Sequence, residues 1–291
     1  MTAMLFAPLP SRALIAVTGE DWRSFLQGQL TQDVETLAVG EARFGALLTP
    51  QGRLLFDMFI IGREDGCWLD VEAAGRDALI QRLTMYRLRA RVQFAPDPSS
   101  LSVLFPAHPD ESRDPVLSSG VLTGQTWVPT FVGMSGGWVA DPRTPALGSR
   151  GYGAELPPEV QQTDETAYDR HRLTLGVPGP ADWGSDRTYP IEANFDLLNG
   201  IDFKKGCFVG QETTSRMKRR GQIKNRMLPV TFDGPPPRFG TEVLKGELRA
   251  GEILSGQDGV AMALLRLDRI DGELTADGRK IRVATPAYAL S

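Results

Sequence analysis

The sequence predicts an α+β protein that ends in a small β-barrel or sandwich. Apolar residues alternate with a period of two in several short runs across the first hundred positions. Between those runs lie two stretches with apolar residues at helical spacing. Past a proline-rich segment, short alternating runs follow one another with glycines between them. The order strand, helix, strands, helix, strand is that of an α+β domain.

Each element has a local reason. RALIAVTG (12–19) reads as a strand ended by Gly19. GEDWRSFLQGQLTQDV (19–34) places Trp22, Phe25, Leu26 and Leu30 on one helical face, with Asp21 as an N-cap or first-turn acid. RFGALLTPQGRLLFDMFIIG (43–62) reads as a hairpin turning at Pro50, Gln51 and Gly52. CWLDVEA (67–73) is a further strand. GRDALIQRLTMYRLRARV (75–92) carries Leu79, Leu83 and Tyr86 at helical spacing and then predicts a basic strand. Residues 95–165 are rich in Pro, Gly and Ser and predict loops between short strands. DETAYDRHRLTLGVP (164–178) predicts a helix stopped at Gly176 and Pro178. FDLLNGIDFKKGC (195–207) predicts a short helix ending near Gly200. GPPPRFG (234–240) marks a boundary, and TEVLKG, ELRAGEILS, GVAMALLRL and KIRVATPAYAL follow as strands.

The chain has 291 residues, enough for two domains or three small ones. No stretch is apolar for long enough to cross a membrane as a helix, and no membrane partner is expected. The start shows neither a basic n-region nor a continuous apolar core, so it does not read as a secretory signal. Two cysteines, Cys67 and Cys207, make no disulfide framework. A reducing, cytoplasmic setting is expected.

Charge is uneven along the chain. Residues 204–226 hold eight Lys or Arg and one acid, so a segment of +7 sits in a protein of −4. Such a run is either a solvated face or a site for an anion, whether carboxylate, phosphate or nucleic acid.

Several sites are excluded. No Gly-x-Gly-x-x-Gly follows a strand, and no phosphate-binding P-loop is present. Two Cys and two His give no zinc spacing and too few thiolates for a cluster held by one chain. His108 and His171 are assigned to surface or packing. Cys67, in an alternating strand, is assigned to packing. Cys207 sits between Gly206 and Phe208, with Lys204 and Lys205 just before it. Nearby cations promote the thiolate, while the ordinary fate of a free Cys is burial as a small apolar residue. Asp57 is the only charge in LLFDMFII. It either faces outward from a half-buried strand or lies buried with a partner, with Arg53 or a ligand donor as options. Glu192 follows Pro190 where a first-turn acid would suit a helix dipole.

Together these motifs resemble a known family. KGCFVGQE (205–212) is similar to the signature K-G-C-[FY]-x-G-Q-E of the YgfZ family, folate-binding proteins that assist iron–sulfur proteins. FLQGQLTQDV (25–34), LLTPQGRLLFDMFI (47–60) and YPIEANFDLLNGIDFKKGCFVGQE (189–212) match the same pattern in order. The resemblance runs from about residue 12 to 226, with the loop-rich middle unplaced. Wider relatives are the aminomethyltransferases of glycine cleavage and folate-dependent demethylases.

The resemblance implies a ring-like, aminomethyltransferase-like molecule. Its parts would be an α+β folate-binding part at 1–95, a second α+β part at 96–226 and a β-barrel at 227–291. It implies tetrahydrofolate, with Glu192 at the pterin edge as a bidentate acceptor. Lys205, Gly206, Phe208, Gln211, Arg216, Arg219 and Arg220 would complete the cofactor site, the cations drawing in the anionic folate tail. Cys207 becomes the candidate redox or transfer thiol. Asp57 falls on the second acid of the relatives' catalytic pair; Phe56 replaces the first, which weighs against aminomethyl transfer. The function implied is assembly or repair of iron–sulfur clusters in client enzymes, tRNA-modifying ones included. Its partners would be folate, iron–sulfur assembly proteins or clients, and tRNA through the basic patch. The alternatives are a folate-dependent one-carbon transferase with Asp57 orienting the amine, and an RNA-binding accessory protein.

Overall fold

A computed structural model describes residues 3–107, 137–221 and 223–290; His108 lies outside them. The chain begins with β1 (Met4–Pro8), β2 (Arg12–Thr18), α1 (Trp22–Gln29), β3 (Ala42–Leu48), β4 (Leu54–Arg63) and β5 (Gly66–Glu72). It continues with α2 (Arg76–Tyr86), β6 (Gln93–Asp97), β7 (Leu101–Pro106), β8 (Gly137–Ala140), β9 (Ser149–Tyr152) and β10 (Gln161–Gln162). Then come α3 (Glu165–Thr174), α4 (Pro180–Trp183), α5 (Gln211–Arg220) and β11 (Asn225–Thr231). It ends with β12 (Glu242–Lys245), β13 (Leu248–Gln257), β14 (Val260–Arg266), β15 (Leu274–Ala276) and β16 (Arg279–Val283).

The strands form two five-stranded sheets and a closed barrel. The first sheet has the order β3-β4-β5-β2-β6 and is antiparallel throughout. The second has the order β10-β1-β7-β9-β8, so the chain's first strand belongs to it. The barrel runs β11-β14-β13-β12-β15-β16 and closes between β16 and β11.

Both faces of the first sheet are covered. Trp22 and Leu26 of α1 and Leu79 and Leu83 of α2 pack with Ile15, Val17, Met58, Ile60, Leu69 and Val71 on one side. Leu14, Phe59, Ile61 and Trp68 turn the other way, into a core shared with the second sheet, α3 and Met227 and Met262 of the barrel. That explains the near-continuous apolar run of β4: both of its side-chain rows are inside. Asp57 falls in the row of Phe59 and Ile61, so the outward-facing option is excluded. The barrel holds its own core of Val230, Val243, Ile253, Ala263 and Ile281.

Four local expectations are corrected. Residues 190–199 form successive turns rather than a helix, with Asn194 and Asn199 at positive φ of 61° and 55°. The basic stretch after α2 is no strand; Leu88 takes φ 48° and the strand starts at Gln93. GPPPRFG is a loop inside the barrel, because β11 precedes it. Asp21 stands at the N-cap of α1, but its carboxylate accepts from the Arg91 N–H at 2.8 Å instead of capping the helix.

Candidate functional site

The signature loop is sewn to α1. Helix α1 leaves carbonyls without partners at its C-terminal end, where a cation is favoured. Lys205 Nζ reaches across 178 positions to Gln27 O at 2.7 Å, and also donates to Leu30 O at 2.6 Å and Gln32 O at 2.8 Å. All three ammonium hydrogens are thereby used. Burial pulls this ammonium down to about 8, against the weaker opposing pull of Asp33, Asp202 and Glu35. Val209 N–H donates to Gly28 O at 3.2 Å and Asp202 N–H to Thr31 O at 3.0 Å. The Thr31 hydroxyl returns a bond to Gly200 O at 2.6 Å.

Between those anchors the chain surfaces. Gly206 and Cys207 are exposed, and a Cβ on Gly206 would meet nothing within 4 Å. Phe208 turns back inward, with Lys205 Nζ 5.3 Å from its ring centre. Gly210 then starts α5 at φ 80°, and a Cβ there would lie 2.5 Å from Thr49 O. The β3–β4 turn and the start of α5 touch backbone to backbone, which only glycine permits. Cys67 differs in every respect: it is 1% exposed in the first sheet, and burial pushes its thiol up.

Helix α5 was not anticipated, yet its signals are in the sequence. Glycines bound it at 210 and 221, Glu212 lies in its first turn, and Lys218, Arg219 and Arg220 lie in its last. Charges so placed complement the helix dipole. Along its side runs a groove of about 660 Å³ lined by Pro50, Phe203, Phe208, Gln211, Lys218 and Arg219, among others. Lys218 Nζ stands 5.3 Å over the Phe203 ring and 3.8 Å from Asp196. Arg216 and Arg219 are exposed. Arg226 is not available to a ligand: it holds Asp196 through two bonds of 2.9 Å.

A second cavity, of about 210 Å³, lies where both sheets meet α3 and α4, and Asp57 lines it. Asp57 is 4% exposed and pairs with Arg12 Nη1 at 3.3 Å, not with Arg53. Arg53 donates to Asp186 O at 3.1 Å instead. Arg12 binds Asp70 more tightly, at 2.7 Å, and Arg150 holds the other Asp70 oxygen at 2.6 Å. Burial alone would raise the Asp70 carboxyl; the two guanidinium groups outweigh it and hold it below the usual range. Arg143 pairs with Asp141 at 2.8 Å and donates to the Tyr168 hydroxyl at 3.1 Å. The guanidinium carbons of Arg12, Arg143 and Arg150 lie 5.5, 4.8 and 3.9 Å from the Phe59 ring centre.

The residues singled out from sequence thus separate into three places. Phe208, Gln211 and Arg219 line the groove beside Cys207, while Lys205 works beneath it as a staple. Arg216 lies on α5 outside the lining, and Arg220 is the last residue of that helix. Asp57 sits in the second cavity. Glu192 lines neither: its carboxylate accepts from Tyr189 N–H and Asn225 Nδ2, each at 3.1 Å. His171 is buried, its Nε2 2.9 Å from Ala146 O, in keeping with packing. Sequence reasoning missed Arg12, Asp70, Asp141, Arg143 and Arg150. The available signal, for Asp70, was an acid set between Leu69 and Val71 in the run CWLDVEA.

Comparison with known proteins adds the family. Residues 224–290 match the family described as CAF17, C-terminal beta-barrel domain. The chain is 31% identical to the mitochondrial iron–sulfur cluster assembly factor IBA57 of Mus musculus, over 91% of this chain and 78% of that protein. Its identity to the Homo sapiens factor is 30%, over 95% and 82%. To the mitochondrial homolog of Pyricularia oryzae it is 31%, over 98% and 76%. The crystal structure of glycine cleavage system aminomethyltransferase T from Bartonella henselae matches with a TM-score of 0.77 at 18% identity, over 99% of this chain and 86% of that one. The fold is therefore aminomethyltransferase-like, with a closed six-stranded C-terminal barrel. The resemblance read from the motif holds at the coarser level of an iron–sulfur cluster assembly factor with an aminomethyltransferase-like fold, and the relatives matched along the chain are IBA57 factors. One expectation is corrected. The cytoplasmic setting is overturned by relatives named mitochondrial; free thiols report a reducing compartment and do not distinguish the cytosol from an organelle interior. Similarity over nearly the whole chain places this protein in the family of the iron–sulfur cluster assembly factor IBA57.

Proposed function

We propose that this protein is an iron–sulfur cluster assembly factor that binds a tetrahydrofolate in the groove beside α5 and works through the thiol of Cys207. The observation that carries this reading is one juxtaposition. An exposed thiol lies on a pinned loop, one residue before Phe208, which lines an aromatic and cationic groove. A pinned loop fixes where the thiol is presented, and a reactive group is useful only where its position is defined. The groove suits a folate by chemistry. Phe203 and Phe208 offer apolar walls to a flat ring, and Lys218 and Arg219 offer charge to a carboxylate tail. Its volume lies in the ordinary range of small-molecule sites, about 300–1,000 Å³.

Glu192 is bound into its own turn, so we assign the pterin to the groove rather than to that carboxylate. Asp57 already has a guanidinium partner, which weighs against the transferase alternative, where it would have to hold an amine. The clients, tRNA-modifying enzymes among them, would receive their clusters through the Cys207 face. The test extracts the purified protein and seeks a bound folate by mass spectrometry. It then asks whether Cys207→Ser restores iron–sulfur enzyme activity in cells lacking the native protein. A bound folate and a failed rescue are expected. Full rescue by Cys207→Ser removes the thiol from the reading, and absence of folate removes the cofactor.

A further inference from the structure

The C-terminal end of α2 carries a surface that the cluster-assembly site does not use. From 78 to 96 the chain has four arginines, no lysine and no acid. Within it Met85 is 64% exposed, Tyr86 46% and Leu88 88%. Leu88 also takes φ 48°, the left-handed region that glycine usually supplies where a helix ends in this way. A leucine there is strained and gives its apolar side chain to water. A glycine would relieve both, so stability does not account for the residue. Strain and exposed apolar surface at one position together mark a binding feature.

The arginines are arranged around this tip. Arg82 lies 5.7 Å from the Tyr86 ring centre, and Arg87 donates to Val92 O at 3.1 Å, which ties the turn to β6. Arg91 is taken by Glu20 at 2.5 Å and by Asp21 at 3.5 Å. Arg89 is exposed and has no ion pair among the described residues. The tip therefore holds uncompensated charge in a protein whose net charge is −4.

We propose that this tip, formed by Met85, Tyr86, Leu88 and Arg89, docks an acidic segment of a partner protein in which apolar residues alternate with carboxylates. The composition favours protein over lipid. Met, Tyr and Arg are the residues enriched in protein interfaces, while Lys is depleted in them. Polybasic lipid sites draw on Lys as well as Arg. Arginine's planar fork takes a carboxylate through two parallel bonds, which a point charge cannot do. The tip lies on the first sheet's edge, on elements that contribute no residue to the groove of α5. It would hold a partner while the Cys207 face does its work.

The test uses the full chain and three probes. One is a short fluorescein-labelled peptide alternating Glu with Leu and Phe. The second has Lys in place of Glu. The third is a vesicle of phosphatidylcholine and phosphatidylserine. The acidic peptide is expected to bind, more weakly as salt rises. Leu88→Gly should weaken binding about tenfold, the loss of a central apolar contact, while its Tm stays equal or rises. Arg89→Glu should shift preference toward the Lys peptide. Bound folate is expected to be the same in all three proteins, which separates this surface from the groove. The proposal is overturned if Leu88→Gly and Arg89→Glu bind the acidic peptide as the parent does. It is also overturned if only the vesicles bind the chain.

Discussion

Cys207 and Cys67 make the sharpest contrast at the level of single side chains. One is exposed on the surface loop and the other is 1% exposed in a sheet. Alkylation of the native protein is expected to label Cys207 alone, and peptide mass spectrometry reads it directly. Labelling of Cys67 should appear only with denaturant. Cys207→Ser is expected to leave Tm unchanged, since nothing packs on that thiol's exposed side. Lys205 behaves differently, because three carbonyls depend on it. Lys205→Met should cost about 1–3 kcal/mol through unpaired acceptors, seen as a lower urea midpoint. The pH dependence has a definite sign. The folded ammonium releases its proton near 8, and the unfolded one near 10.4. Between those values the unfolded chain binds more protons, so stability rises with pH. The parent should gain stability relative to Lys205→Met from about pH 8 upward, and the gain should disappear as pH falls back through 8. A flat difference across that window would remove the buried ammonium from the account.

Elements are held together at backbone contacts that single substitutions can test. Gly210 and Gly52 approach so closely that a Cβ on Gly210 would sit 2.9 Å from Gly52 Cα. Gly210→Ala is expected to destabilise by more than 1 kcal/mol or so, combining a positive φ with a backbone clash. It should also disturb folate retention, because the start of α5 forms one wall of the groove. Helix α5 itself was legible in hindsight from its bounding glycines and its charge order. It escaped because the stretch has a single apolar side chain, Met217, and recurring apolar residues are the main helix signal. Changing Lys218 and Arg219 together to Gln should weaken polyglutamyl folate more than monoglutamyl folate and flatten the salt dependence. Equal losses for the two ligands would show that the groove holds the ring alone.

At the scale of the molecule, the charges around Phe59 join both sheets. Arg12 comes from β2, Asp57 from β4, Asp70 from β5 and Arg150 from β9. Asp57, Asp70 and Arg150 are buried and Arg12 is nearly so, and each has an opposite charge. Replacing one leaves its partners uncompensated in a low-dielectric interior. Asp70→Asn is therefore expected to cost about 3–5 kcal/mol, with calorimetry showing a large drop in Tm. Asp57→Asn should cost less, because Arg12 keeps its 2.7 Å bond to Asp70. If the two substitutions cost the same, the network is not centred on Asp70.

Much of the local structure, and the family's motif, are legible along the chain. Alternation marked β2, the β3–β4 hairpin and the barrel strands, because strand burial repeats every two residues and needs no knowledge of the partner. Helical spacing marked α1 and α2 for the same reason, and the stop at Gly176 and Pro178 marked α3. The octet at 205–212 pointed to the region of the candidate site. Which partners those residues meet is set only by the tertiary structure. The first strand pairs in the second sheet, Asp70 meets Arg12 and Arg150 across 58 and 80 positions, and Lys205 meets α1 across 178. Such partners follow from how whole layers stack. A charge in an apolar run announces that a partner exists, but the packing of distant elements chooses which one.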